Sequence, residues 1–146
     1  MRFVYPDSSI IARSYLAHEH GHGAAIDALA DPDVVYVTCA IARVEVLGAV
    51  TRVLRSRNRD ARHAERDVCL DFDIGRFAVI SVDFAEVFDV AASIVVDGKL
   101  GTLDACHIAA AEQIFRAIVG PDDEAVFLTS DDAQREAAAA RGLAVA

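Results

Sequence analysis

The sequence predicts an α/β fold, a central parallel sheet of four to five strands with helices on both faces. Two observations carry this reading. Short apolar, β-branched runs alternate along the chain with longer stretches of helical periodicity. Those runs are continuously apolar, as parallel strands covered on both faces require. The 146 residues suit one domain, taken as residues 1–146.

Phe3-Val4-Tyr5 reads as a buried strand that ends at Pro6. A helix is expected from Ser8 to about His18, broken by the loop His20-Gly21-His22-Gly23, with a second from about Ala24 to Ala30. Asp31-Pro32-Asp33 makes a turn into a strand at Val34–Val37. The next helix spans Cys39 to about Arg57, with Val46, Leu47, Val50, Val53 and Leu54 on one face. A helix from Asp60 to about Asp73 precedes a third strand at 77–82. Asp83 caps a helix from Phe84 to Val96, and residues 97–101 form a loop. Thr102 is the expected N-cap of a long helix to about Val119. After a turn at 120–123, residues 125–129 form the fourth strand and Asp132–Arg141 the last helix, closed by Gly142. Leu143–Val145 is expected to add a short fifth strand.

Composition narrows the function classes. The net charge is −9, the wrong sign for a module that merely grips nucleic acid by its phosphates. It is compatible with acids that hold a cation. The charge is uneven: residues 43–66 carry seven arginines and a net +4, against −13 elsewhere. Cys39, Cys69 and Cys106 have neither disulfide nor zinc spacing and read as small core residues. No segment is long enough for a membrane span, and the start does not resemble a secretory signal, so a cytoplasmic address is expected.

Four acids fall where such a fold does its chemistry. Asp7 follows the first strand and Asp131 the fourth; Glu45 and Asp104 lie in the early turns of helices. The carboxyl edge of an open α/β sheet would bring together at least Asp7, Glu45 and Asp131, joined by Asp104 if its helix begins there. Singly, each has an ordinary explanation: Asp7 and Asp131 as caps, Asp104 as a first-turn acid, Glu45 as a solvated one. Together they would repel one another unless a cation neutralised them. An all-oxygen donor set of this kind suits Mg²⁺ or Mn²⁺ and phosphodiester chemistry.

Four segments carry a family resemblance: Tyr5-Pro6-Asp7-Ser8-Ser9, Ala42-Arg43-Val44-Glu45-Val46, Leu103-Asp104-Ala105-Cys106-His107-Ile108-Ala109-Ala110-Ala111, and Leu128-Thr129-Ser130-Asp131. In order and spacing the chain resembles the PIN-domain ribonucleases, in particular the toxins of VapBC-type toxin–antitoxin pairs. The resemblance implies Mg²⁺- or Mn²⁺-dependent endonucleolytic cleavage of RNA, a homodimer, and an antitoxin that wraps the protein. It implies Asp7, Glu45, Asp104 and Asp131 as catalytic metal ligands, with Asp132 an adjacent competitor for the fourth place. Ser8, Ser9 and Thr129 would support ligands or water through hydrogen bonds.

Other features are read as structural. His18, His20 and His22 alternate, and i and i+2 share no helix face. His107 is taken as a packing or hydrogen-bonding residue, and Asp122 and Asp123 as turn formers. A receiver fold would need an acidic pair and a lysine, but the one lysine is Lys99; a D-x-D-x-T phosphatase motif and Gly-rich phosphate loops are also missing. The rivals are a non-toxin RNA-processing nuclease and a non-catalytic PIN-like partner-binding module. Ile10, Ile11, Tyr15, Leu16, Ile26 and Leu29 are expected to leave spare apolar surface on the first two helices for a partner.

Overall fold

Parallel strands cannot be joined by tight turns, so every connection in this chain is a helical crossover. The computed structural model describes residues 1–98 and 100–146; Lys99, assigned to a loop by the sequence, lies outside the described residues. The elements run β1 (Arg2–Pro6), α1 (Ser8–Ser14), α2 (His22–Ala28), β2 (Val34–Thr38), α3 (Ala40–Ser56), α4 (Arg62–Asp73), β3 (Ala78–Val79), α5 (Phe84–Asp97), α6 (Thr102–Ile118), β4 (Glu124–Leu128) and α7 (Asp132–Ala140).

The sheet is parallel throughout, in the order β3-β2-β1-β4. The chain therefore adds strands in one direction from β1 to β3, then crosses back to place β4 on the far side of β1. Adjacent connections leave in opposite directions at the carboxyl ends of β1 and β4, which opens a crevice there. Strand alternation sorts the core into two layers. Phe3, Tyr5, Val37 and Phe127 pack against α5, α6 and α7. Val4, Tyr36 and Val126 pack against α1 to α4.

Several boundaries depart from the expected ones for physical reasons. β3 is two residues long because its partner β2 ends at Thr38 and turns into α3; past the Ile80 amide bond to the Thr38 carbonyl, 2.8 Å, no strand remains to pair with. The Leu143–Val145 segment forms one parallel bridge, Val145 to Phe127, and not a full strand. Helix α6 is capped by Gly101, so Thr102 is its first helical residue. Helix α1 stops at Ser14, and His22 explains one of the alternating histidines: its Nδ1 donates to the Arg13 carbonyl, 2.8 Å, at the end of α1. Gly142, at φ +85°, closes α7 as expected: its amide and that of Leu143 bond back to Ala139 and Ala138.

The spare apolar surface expected on the first two helices is not there. Ile10, Ile11, Leu16 and Leu29 are buried and Tyr15 is half-buried; of the six residues only Ile26 is exposed. Short helices on a twisted sheet turn nearly all their apolar side chains inward. No helix among the described residues is long and apolar enough to cross a membrane. The three cysteines are free, Cys39 and Cys106 fully inside.

The two isoleucines give a direct check of this inward packing. Ile11→Ala is expected to cost about 2–5 kcal/mol, and Ile26→Ala less than about 0.5 kcal/mol. Urea denaturation measures both, and equal losses would contradict the burial described.

Candidate active site at the carboxyl edge

The crevice at the carboxyl ends of β1 and β4 collects the acids. A cleft of about 320 Å³ is lined by Asp7, Ser8, Ser9, Glu45, Arg52, Leu103 and Asp104, with Gly48 and Ala49 among its walls. Asp131 lies outside this lining, yet its charge reaches Asp104. Burial, and then the charges of Asp7, Asp131 and Glu45, push the Asp104 carboxyl above the usual carboxylate range; His107 pulls the other way. All four sequence-predicted acids thus act on one neighbourhood. Asp132 does not share it: its carboxylate is exposed and paired with Arg135 at 2.6 Å.

Each acid is held differently. Asp7 is buried, and both its oxygens have partners: Oδ2 accepts from the Ser9 amide at 3.0 Å, and Oδ1 from Gln134 Nε2 at 3.1 Å. Asp131 accepts from the Gln134 amide at 2.9 Å. The two aspartates therefore do cap α1 and α7, and capping is what turns them toward the strand ends. Asp104 stands in the first turn of α6 and accepts no hydrogen bond from the described residues. Its carboxylate folds back over Gly101, where a Cβ would come within 3.2 Å of Oδ2. Any larger residue at the cap would press on that carboxylate.

Glu45 is not a solvated helix acid. It accepts a short hydrogen bond from Nε2 of the fully buried His107. His107 Nδ1 meets the Tyr5 hydroxyl at 2.8 Å, and that hydroxyl lies 3.3 Å from Cys39 Sγ. Burial opposes protonation of this imidazole, but the Cys39 sulfur, the Glu45 carboxylate and the charge of Asp7 win, and its pKa is pushed up to about 10. The bonding role expected for His107 is thus its observed one, and Cys39 is more than core filling.

Of the supporting residues, Ser8 and Ser9 line the cleft, and Ser9 acts through its backbone amide. Thr129 is buried; its hydroxyl donates to Gln134 Oε1 at 2.5 Å and accepts from the Asp131 amide at 3.1 Å. Gln134 escapes the sequence reading. Its only signal is the Asp131-x-x-Gln134 spacing, which looks like a local capping box.

The PIN domain profile matches residues 4–140. The chain belongs to the PIN-domain family. A search of curated proteins returned no match. PIN domains are generally metal-dependent nucleases, and the donor set here bears comparison with what a divalent ion requires. Its free donors are carboxylate oxygens, the preference of a hard cation, and its one nearby imidazole is turned into the core. Among the described residues no three Asp, Glu, His or Cys side chains converge to encase an ion. A carboxylate set of this kind suits a hard cation such as Mg²⁺, which keeps several waters and takes one or two carboxylates directly. Asp7, Glu45, Asp104 and Asp131 are the residues that would hold it.

Burial of its charge, together with repulsion from its neighbours, predicts that Asp104→Asn raises the melting temperature of the metal-free PIN domain at neutral pH. Asp132→Asn, which only loses an exposed ion pair, should leave it unchanged or slightly lower. A fall in melting temperature for Asp104→Asn would contradict both effects.

Proposed function

We propose that this PIN domain is a metal-dependent endoribonuclease, the toxin of a type II toxin–antitoxin pair, acting in the cytoplasm with Mg²⁺ or Mn²⁺. The observation that carries the nuclease reading is the gathering of Asp7, Glu45, Asp104 and Asp131 at the β1/β4 crevice. A divalent cation bound there would lower the pKa of a water and offset the charge of the scissile phosphodiester.

The chain's own residues prepare that chemistry. Asp104, free of hydrogen bonds from the described residues, is available to the cation directly. His107 anchors Glu45 from behind, and the bonds from Ser9 and Gln134 hold Asp7, so neither carboxylate must be reorganised on binding. The Arg-rich segment is mostly spoken for: Arg43, Arg55, Arg57 and Arg62 pair with Asp73, Glu65, Glu19 and Asp60. Arg52 is different. It lines the acidic cleft, two turns along α3 from Glu45, where an RNA phosphate beside the scissile one would lie.

For partners we propose RNA, a second copy of the chain and a cognate antitoxin. A groove of about 400 Å³ supports the last of these. It is lined by Leu16, Val53, Leu54 and Ala64, with Glu19, Arg57 and His63 beside them. An antitoxin helix seated there would bury apolar side chains. A basic residue on its tail would satisfy Asp7, Glu45 and Asp104 in place of the cation.

RNA cleavage is expected to stop in EDTA, return with Mg²⁺ or Mn²⁺, and leave 5′-phosphate and 3′-hydroxyl ends. Asp7→Asn, Glu45→Gln and Asp104→Asn should each lose more than the roughly tenfold to hundredfold typical of residues that only support metal ligands. Asp131→Asn should be milder. Activity in chelator, or 2′,3′-cyclic products, would overturn the mechanism. Expression alone should arrest a susceptible host, with arrest abolished by Asp7→Asn; harmless expression of active protein would favour an RNA-processing role.

A further inference from the structure

Gln134 is 1% exposed, an unusual position for an uncharged polar side chain in the first turn of a helix. The local use of a glutamine three residues after an N-cap aspartate is to reach back to the N-cap amide. Here that amide is already taken, because Asp131 N donates to Thr129 Oγ1. Gln134 is released from the cap and turns inward. Its Nε2 lies 3.1 Å from Asp7 Oδ1 and 3.4 Å from the Asp104 carbonyl, two groups that only accept. Its Oε1 accepts the Thr129 proton. The amide can face only one way: flipped, it would set a carbonyl oxygen against the Asp7 carboxylate. Its backbone amide meanwhile caps onto Asp131. One residue therefore touches three of the four acids' positions: the carboxylates of Asp7 and Asp131 and the backbone of Asp104.

We propose that Gln134, oriented by Thr129, is a positioning residue for the cation site, fixing the Asp7 carboxylate relative to Asp104 and Asp131. This rests on the metal-dependent nuclease reading above. The side chain touches neither RNA nor cation; it acts by holding Asp7 Oδ1, so that Asp7 turns toward Asp104 without ordering cost when the ion arrives.

Mn²⁺ titration of purified protein, followed by electron paramagnetic resonance, tests it without reference to cleavage. Gln134→Met keeps the length and removes all three side-chain hydrogen bonds; Mn²⁺ affinity should weaken by about tenfold to hundredfold, as for other residues that orient metal ligands. Thr129→Val should weaken it similarly, and Thr129→Ser, which restores the hydroxyl, should return it to the wild-type value. The Thr129 pair decides the matter if Gln134→Met does not fold. Val68→Ala, a core change on α4, should lower the melting temperature and leave Mn²⁺ affinity untouched. Wild-type affinity in folded Gln134→Met or Thr129→Val, or loss of affinity equal to that of Val68→Ala, overturns the proposal and leaves the nuclease reading standing. Failure of the wild-type chain to bind Mn²⁺ overturns both.

Discussion

Like charges brought together in a half-dry crevice must be compensated, and much of the local structure here follows from that repulsion. Burial, and then the charges of Asp7, Asp131 and Glu45, push the Asp104 carboxyl above its ordinary range. The protein answers with donors placed one by one: the Ser9 amide and the Gln134 side chain on Asp7, the Gln134 amide on Asp131, the His107 ring on Glu45. It supplies no donor to Asp104 among the described residues. The compensation is thus incomplete at one member, and on the proposed reading a cation would complete it.

The sheet order explains why the acids meet at all. Had β4 been added beyond β3, Asp7 and Asp131 would stand at opposite ends of the sheet. Because β4 pairs with β1, Asp7 N reaches the Leu128 carbonyl at 2.8 Å, and the two strand ends present their acids side by side. The other two arrive on helices whose early turns overlie that edge. Their buried faces bind them to opposite layers, α3 to the layer of Val4 and α6 to that of Tyr5. His107 on α6 and Glu45 on α3 then tie one layer to the other.

The fold was largely legible in the chain because alternating apolar runs and helical periods leave few arrangements for a doubly covered sheet. Asp7 and Asp131 were legible as strand-end residues. What was not legible depended on pairing between distant segments. The length of β3 is set by where β2 stops, which residues 77–82 do not encode. Ile10, Ile11 and Leu16 looked surplus because their helix is too short for its pattern to reveal how much of its circumference the sheet would cover. Gln134 is not legible because its spacing from Asp131 is that of an ordinary capping box, and only the fold shows Thr129 Oγ1 taking the Asp131 amide. The arginines of residues 43–66 look like one strip in the sequence, but Asp73, Glu65, Glu19 and Asp60 pair with four of them, and of the other three it is Arg52 that lines the cleft.

On the proposed reading a divalent cation belongs at the carboxyl edge, not in the groove of His18, His22 and His63, and not diffusely over a chain of net charge −9. Paramagnetic broadening of backbone amide resonances by substoichiometric Mn²⁺ tests this most directly. Signals of residues around Asp7, Glu45, Asp104 and Asp131 should disappear first, and excess Mg²⁺ should restore them. Broadening centred on the histidine-bearing groove, or spread evenly over the acidic surface, would contradict the account.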